Sequence, residues 1–152
     1  MARFDAVVTD VDLRAATRTL YRQGHFARAV EEAFKFLNNA VKGRANDANR
    51  DGQDLMLHVF DLQGPALRLS RLRSQSERDQ QAGYRFIFAG VMTGIRNPRA
   101  HDHALVDEPN VALEMLVLAN HLMRLVAGST RTTRGRSRRV RVPTPPTPLG
   151  TG

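Results

Sequence analysis

One ten-residue stretch, Gly94-Ile95-Arg96-Asn97-Pro98-Arg99-Ala100-His101-Asp102-His103, holds two arginines, an asparagine, two histidines and an aspartate around a single proline. An arginine carries a permanent charge and a planar fork of donors that matches phosphate. A histidine titrates near neutrality and is the side chain best suited to moving a proton at cellular pH. Together the two meet the needs of metal-free RNA cleavage. The 2′-hydroxyl must lose a proton or the leaving 5′-oxygen must gain one, and the crowded phosphorane charge must be stabilised. No external nucleophile is required, which suits a chain with no cysteine and no obvious Ser–His pair. Taken singly, each residue also has a plain structural reading: Arg96 as a cation at a helix C-terminus, Asn97 as a C-cap, His101 as a loop hydrogen bonder. The combination is what points to chemistry. His101-Asp102-His103 could also be read as metal ligands, but no third or fourth ligand is evident and helical His-x-x-x-His spacing is absent. No cofactor is expected.

The elements that would carry this stretch are helical. Thr9-Asp10-Val11-Asp12 has the pattern of a helix start, and a first helix to about Gln23 would present Leu13, Ala16, Thr17, Leu20 and Tyr21 on one side. Gly24-His25 breaks it, with His25 expected to pack between the first two helices. A second helix over 26–42 carries Ala27, Val30, Phe34, Leu37 and Val41 as one stripe and Ala29, Ala33, Phe36 and Ala40 as its neighbour, the pattern of a central bundle helix. Glu31 and Lys35 stand one turn apart and could pair. Residues 43–52 read as a loop, 54–60 as a short helix, and 66–74 as an irregular or extended connector.

Ser76-Glu77-Arg78-Asp79 reads as a capping box opening a helix to about Ile95, with Tyr84, Ile87, Phe88, Val91 and Ile95 as its core stripe. Gly83, Gly90 and Gly94 share another face, which suggests that a second helix backbone approaches closely there. Pro98 disfavours helical geometry at Asn97 and removes a donor, so that helix should end near Arg96. Asp107-Glu108-Pro109 has an acid and a proline at a helix start, opening a last helix to about Ala127. Its stripes are Val111, Met115, Leu118, Leu122 and Val126, and then Ala112, Leu116, Ala119 and Met123. The expectation is an all-α bundle of four main helices and one short helix over residues 1–127, with 128–152 a disordered tail.

The formal charge of +8 is unevenly spread. Six arginines (Arg131, Arg134, Arg136, Arg138, Arg139, Arg141) and no acid lie in 128–152, so the tail carries most of the basicity and the bundle little. Such a tail can bind nucleic acid through phosphates or simply be solvated. No uninterrupted apolar run approaches membrane-spanning length and the N-terminus lacks an apolar leader core, so a soluble, cytoplasmic protein is expected.

Arg96-Asn97-Pro98-Arg99-Ala100-His101 has the form Arg-polar-three residues-His and resembles the signature of the HEPN superfamily of small helical ribonuclease-like domains. Residues 21–33 (Tyr21-Arg22-Gln23-Gly24-His25-Phe26 onward), Asp51-Gly52-Gln53-Asp54-Leu55-Met56, and Gln81-Ala82-Gly83-Tyr84 running on to Pro98 are similar to one branch, the short bacterial Ymh-type, abortive-infection-like proteins. The resemblance covers roughly residues 10–127. It implies a symmetric homodimer in which two such motifs face a shared cleft, with His101 as general acid or base, Arg96 as the phosphate cation and Asn97 as polar helper. The implied reaction is metal-independent endoribonucleolysis leaving a 2′,3′-cyclic phosphate, in a toxin or phage-defence effector whose partners are RNA and an antitoxin or defence complex. The alternative it leaves open is a non-catalytic helical module that binds RNA or protein.

Overall fold

The computed structural model describes residues 1–102 and 104–132 of the 152-residue chain. Its elements are α1 (Ala2–Val7), α2 (Val11–Arg22), α3 (Phe26–Ala45), α4 (Gly52–Val59), β1 (Leu67–Arg68), α5 (Gln75–Val91), a π-turn (Met92–Arg96), α6 (Asn97–His101), α7 (Pro109–Gly128) and β2 (Thr130–Arg131). The architecture is all-α.

The periodicity of α3 puts it where expected. Ala29, Val30, Ala33, Phe34, Leu37 and Val41 are all buried, and the helix packs against α2, α4, α6, α7 and the π-turn. Two adjacent apolar faces leave a helix no stable place except the middle. Arg44, in its last turn, donates to the carbonyls of Ala127 (3.5 Å) and Ser129 (2.6 Å) at the end of α7. At the opposite end the Tyr21 hydroxyl donates to the carbonyl of Pro109 (3.0 Å), and its ring lies 5.0 Å from that of Phe26. The two long helices therefore run parallel, with α2 beside them. Asn120 of α7 fastens the start of α2: its Oδ1 accepts from the backbone of Thr9 (2.9 Å) and Asp10 (2.8 Å), while Asp10 caps the helix through Leu13 N.

By length and composition α7 could cross a membrane, the one such helix among the described residues. Here Ala112, Leu116, Ala119, Leu122, Met123 and Val126 turn into the bundle. Val111, expected inside, is exposed, and Leu113 and Asn120 are buried instead.

The connector from α4 to α5 is held by one residue. Gln81 is wholly buried on α5; its Oε1 accepts from Leu69 N (2.9 Å), and its Nε2 donates to the carbonyls of Leu67 (2.9 Å) and Phe60 (3.3 Å). The rings of Phe60 and Phe88 stack 4.4 Å apart beside it. Leu67–Arg68 then pair antiparallel with Thr130–Arg131, so the first residues of the segment expected to be a disordered tail add a short strand to the bundle, and the rest of that segment lies outside the described residues. Replacing Gln81 by leucine would strand three buried backbone groups. The expected cost is about 2–3 kcal/mol, read as a drop in the urea midpoint at constant slope.

Several boundaries differ from the sequence expectation. The capping box is formed by Ser74 and Glu77, two residues before the predicted one, because Glu77 reaches back to the backbone of Ser74. Lys35 pairs with Glu32 (3.3 Å) rather than Glu31, which lies nearer Arg28 (3.8 Å). His25 is exposed at the start of α3; its backbone, not its ring, makes the corner. Ile87 is 43% exposed and Phe86 65%, since α5 packs through Gln81, Phe88, Ala89, Val91 and Met92. A Cβ placed at Gly83, Gly90 or Gly94 would meet nothing within 4 Å. No helix among the described residues packs against those glycines.

Candidate active site

Pro98 does not end the helix. The axis runs on from α5 through the π-turn into α6 and stops at His101, with Asn97 N bonded to Met92 O and Asp102 N to Pro98 O (2.8 Å). A proline inside a helix lacks a donor and clashes with the carbonyl one turn back. The wide turn immediately before it loosens the carbonyl ladder where an α-turn would collide with the ring, and such bulges recur at functional sites. The carbonyl end of the helix is therefore at His101, not at Arg96.

Continuing the helix sets the geometry of the three predicted site residues. Arg96 and His101 are five positions apart, about 140° around an α-helix, whereas Asn97 and His101 are four apart and share a face. The guanidinium of Arg96 bends toward that face: its Nη1 donates to Asn97 Oδ1 at 3.1 Å. Arg96 and Asn97 are half-buried. His101 is exposed, and among the described residues its ring makes no hydrogen bond, ion pair or ring contact.

The second arginine has a different role. Arg99 is buried and grips Asp107 with a fork of two bonds, Nε to Oδ2 and Nη2 to Oδ1, both 2.6 Å, while its Nη1 donates to Ile95 O at 2.9 Å. The two side chains are 6% and 7% exposed. Asp107, expected as part of the helix start, serves Arg99 instead; Glu108 takes the position before α7 and makes no side-chain cap. Asp102 begins the same loop by accepting from Ala104 N at 3.0 Å. The link between α6 and α7 is thus pinned at both ends, and His101 sits beside one pin.

The glutamine and aspartate of Asp51-Gly52-Gln53-Asp54 brace the other side. Asn38, buried on α3, donates to Asp51 Oδ1 and accepts from Gly52 N (2.9 Å). Thr93, inside the π-turn, donates to Gln53 Oε1 at 3.1 Å. Two segments singled out in the sequence are therefore in contact, and one supports the turn that carries Arg96. Nothing in the spacing of Thr93 or Asn38 announces these links.

Of the remaining candidates, Tyr84 is half-buried with its hydroxyl 2.7 Å from His121 Nε2, a pairing between α5 and α7 that the sequence does not suggest. His103 lies outside the described residues. Among those described, no three His, Asp or Glu side chains gather as a metal site would require.

The fold and the site define a class: a small helical bundle whose penultimate long helix is bulged and ends in an Arg-Asn-x-x-x-His sequence. A family model described as a protein of unknown function, Hypoth_Ymh, matches residues 8–126, and the chain belongs to that family. No curated protein and no solved structure matches it.

Proposed function

We propose that this protein is a metal-independent endoribonuclease of the HEPN type, acting in the cytoplasm as a toxin or phage-defence effector. The observation that carries the reading is the placement of Arg96, Asn97 and His101 on the turn that is α6, with Arg96 as its N-cap. Arg96 leans onto Asn97, and Asn97 shares its helical face with an exposed His101 that has no partner among the described residues. In the proposed reaction the 2′-oxygen attacks its own phosphorus and the bond to the 5′-oxygen breaks, giving a 2′,3′-cyclic phosphate and a 5′-hydroxyl. The imidazole of His101 takes the proton from the 2′-hydroxyl or delivers one to the leaving oxygen, and Arg96 neutralises the extra charge on the phosphorane. Asn97 keeps the guanidinium aimed. Purified protein incubated with total RNA in EDTA tests this: fragments ending in cyclic phosphate support it, and intact RNA ends it.

The reading includes a homodimer. From Gln80 to Ile95 the only charge is Arg85, which is turned onto α4, where it donates to Leu57 O at 2.8 Å and lies 3.5 Å from Asp61. The outward face of α5 is thus uncharged, with Phe86 and Ile87 between uncovered glycines. Small residues let two backbones approach, and a two-fold pairing of α5 with itself would seat each Phe86 in a space that glycine leaves open. The same helix ends in the Arg96 trio, so the pairing brings two motifs to one assembly. Phe86→Glu is expected to halve the molar mass seen by light scattering without loss of helix content. The uncharged face also favours the second reading, a non-catalytic assembly module in which the trio holds RNA or a partner without cleaving it; an antitoxin or defence-complex subunit is the proposed further partner.

A further inference from the structure

A pocket of about 410 Å³ lies at the far end of α3, formed by residues 45–50, the last turn of α4 and the two short strands. It shares no residue with the α6 site. Its lining includes Asn46, Asp47, Asn49, Arg50, Arg131 and Thr132, and their hydrogen-bonding capacity is unevenly used. The one carboxylate among the described lining residues, Asp47, is turned onto its own loop, accepting from Asn49 N (3.0 Å), Arg50 N (3.2 Å) and Arg50 Nη1 (3.0 Å). Burial pushes its carboxyl up, but the Asn49 N–H and then the Arg50 groups outweigh this and hold it below the usual carboxylate value. Arg50 is further occupied by Asp54 at 3.6 Å.

Four of the other polar groups are idle among the described residues, whereas His58 in the same lining already has a partner. The carboxamides of Asn46 and Asn49 and the guanidinium of Arg131 make no hydrogen bond or ion pair among the described residues. Thr132 Oγ1 is buried with no partner among the described residues. A buried hydroxyl left unsatisfied costs free energy and calls for a ligand or ordered water. The strand pairing aligns Leu67 with Arg131, so the cation is presented from a fixed backbone. Ala45, Ala48 and Ala66 supply small apolar wall. The size falls within the range of small-ligand pockets.

We infer that this pocket binds a nucleotide unit, with its phosphate on Arg131 and the Thr132 hydroxyl and its base edge on the carboxamides of Asn46 and Asn49. Arginine matches phosphate in a fork, and a carboxamide offers the adjacent donor and acceptor that a base edge presents. The unit is either a free nucleotide or one residue of an RNA strand. The inference does not depend on cleavage at the α6 site.

The test is a titration of the full ¹⁵N-labelled chain with each of the four ribonucleoside monophosphates, with inorganic phosphate, and with a short oligoribonucleotide. The expected result is saturable shifts of the Asn46 and Asn49 side-chain amides and of Thr132 N. Arg131→Gln and Asn49→Ala should each weaken binding by about tenfold or more. Both are surface substitutions, and an unchanged melting curve confirms that they fold. An oligonucleotide about ten times tighter than any mononucleotide, with the same residues responding, identifies a strand site. Equal affinities identify a free-nucleotide site. The proposal is overturned if no shift appears at these residues, if inorganic phosphate binds as well as the nucleotides, or if both variants bind like the parent.

Discussion

His101→Ala is expected to lower the rate of RNA cleavage in EDTA by about 10²–10⁴-fold, the usual contribution of a positioned general acid or base. Arg96→Ala should cost about 10²–10³-fold, the scale measured when one donor to a developing oxyanion is removed. His101 is exposed and its ring makes no hydrogen bond, ion pair or ring contact among the described residues, so its removal should leave the thermal midpoint unchanged. RNA affinity measured by anisotropy should fall far less than rate in the His101 variant, because a proton shuttle contributes to the transition state rather than to ground-state binding. Asn97→Ala gives a sharper comparison: it frees Arg96 from the 3.1 Å contact without removing either reacting group. A fall in rate intermediate between the parent and Arg96→Ala would show that aim matters. If the parent cleaves and all three variants cleave alike, the assignment of chemistry to α6 is wrong.

Asp107→Ala is expected to be the most destabilising single change in the chain, at about 3–5 kcal/mol, because it leaves the Arg99 guanidinium charged and unpaired in the interior. The pair itself is a different quantity. Two ions withdrawn from water repay much of their attraction as desolvation, so Arg99→Met with Asp107→Leu should recover most of the loss. Urea unfolding of the two single variants and the double variant, at one protein concentration because dimerisation would add to stability, measures both. A loss below about 1 kcal/mol in Asp107→Ala would mean that water reaches Arg99. The double variant has a second use. It would keep the bundle while loosening the 102–107 link, so a change in cleavage rate at preserved stability would report how far His101 depends on its neighbour being pinned.

The long helices were legible because burial imposes a period, and α3 and α7 have enough turns to display it. The stripe of α5 was misread at Ile87 because an apolar residue on an outward face looks the same in sequence as one on an inward face. The glycines on that helix suggested a close helix neighbour, but among the described residues nothing approaches them, because a small side chain reads the same whether it faces a partner helix or open space. Two overlapping Ser-x-x-acid frames, Ser74–Glu77 and Ser76–Asp79, are equal as patterns; only one reciprocates to the backbone. Helix α1 is too short for any period to show, and strands of two residues have no alternation to detect.

At the site, the residue types were readable and their arrangement was not. Arg96 and Arg99 are interchangeable on paper, three positions apart in one polar run. What separates them is Asp107, eight residues beyond Arg99, which comes back across the loop and claims one of them. Proline statistics favoured a break at Asn97, and the break did not occur because the preceding residues widened the helix instead. Thr93 inside that turn is itself held by Gln53, a contact between parts of the chain forty positions apart.

The widened turn works as a phase slip in a rod. One extra residue is taken up within a continuous helical run, so everything beyond it is indexed about one position, or roughly 100°, away from the body of α5. The uncharged strip and the polar tip thus belong to one helical run but point along different azimuths. A second molecule lying along the strip would have the tip beside it rather than beneath it, leaving that end open to something as long as a nucleic acid strand.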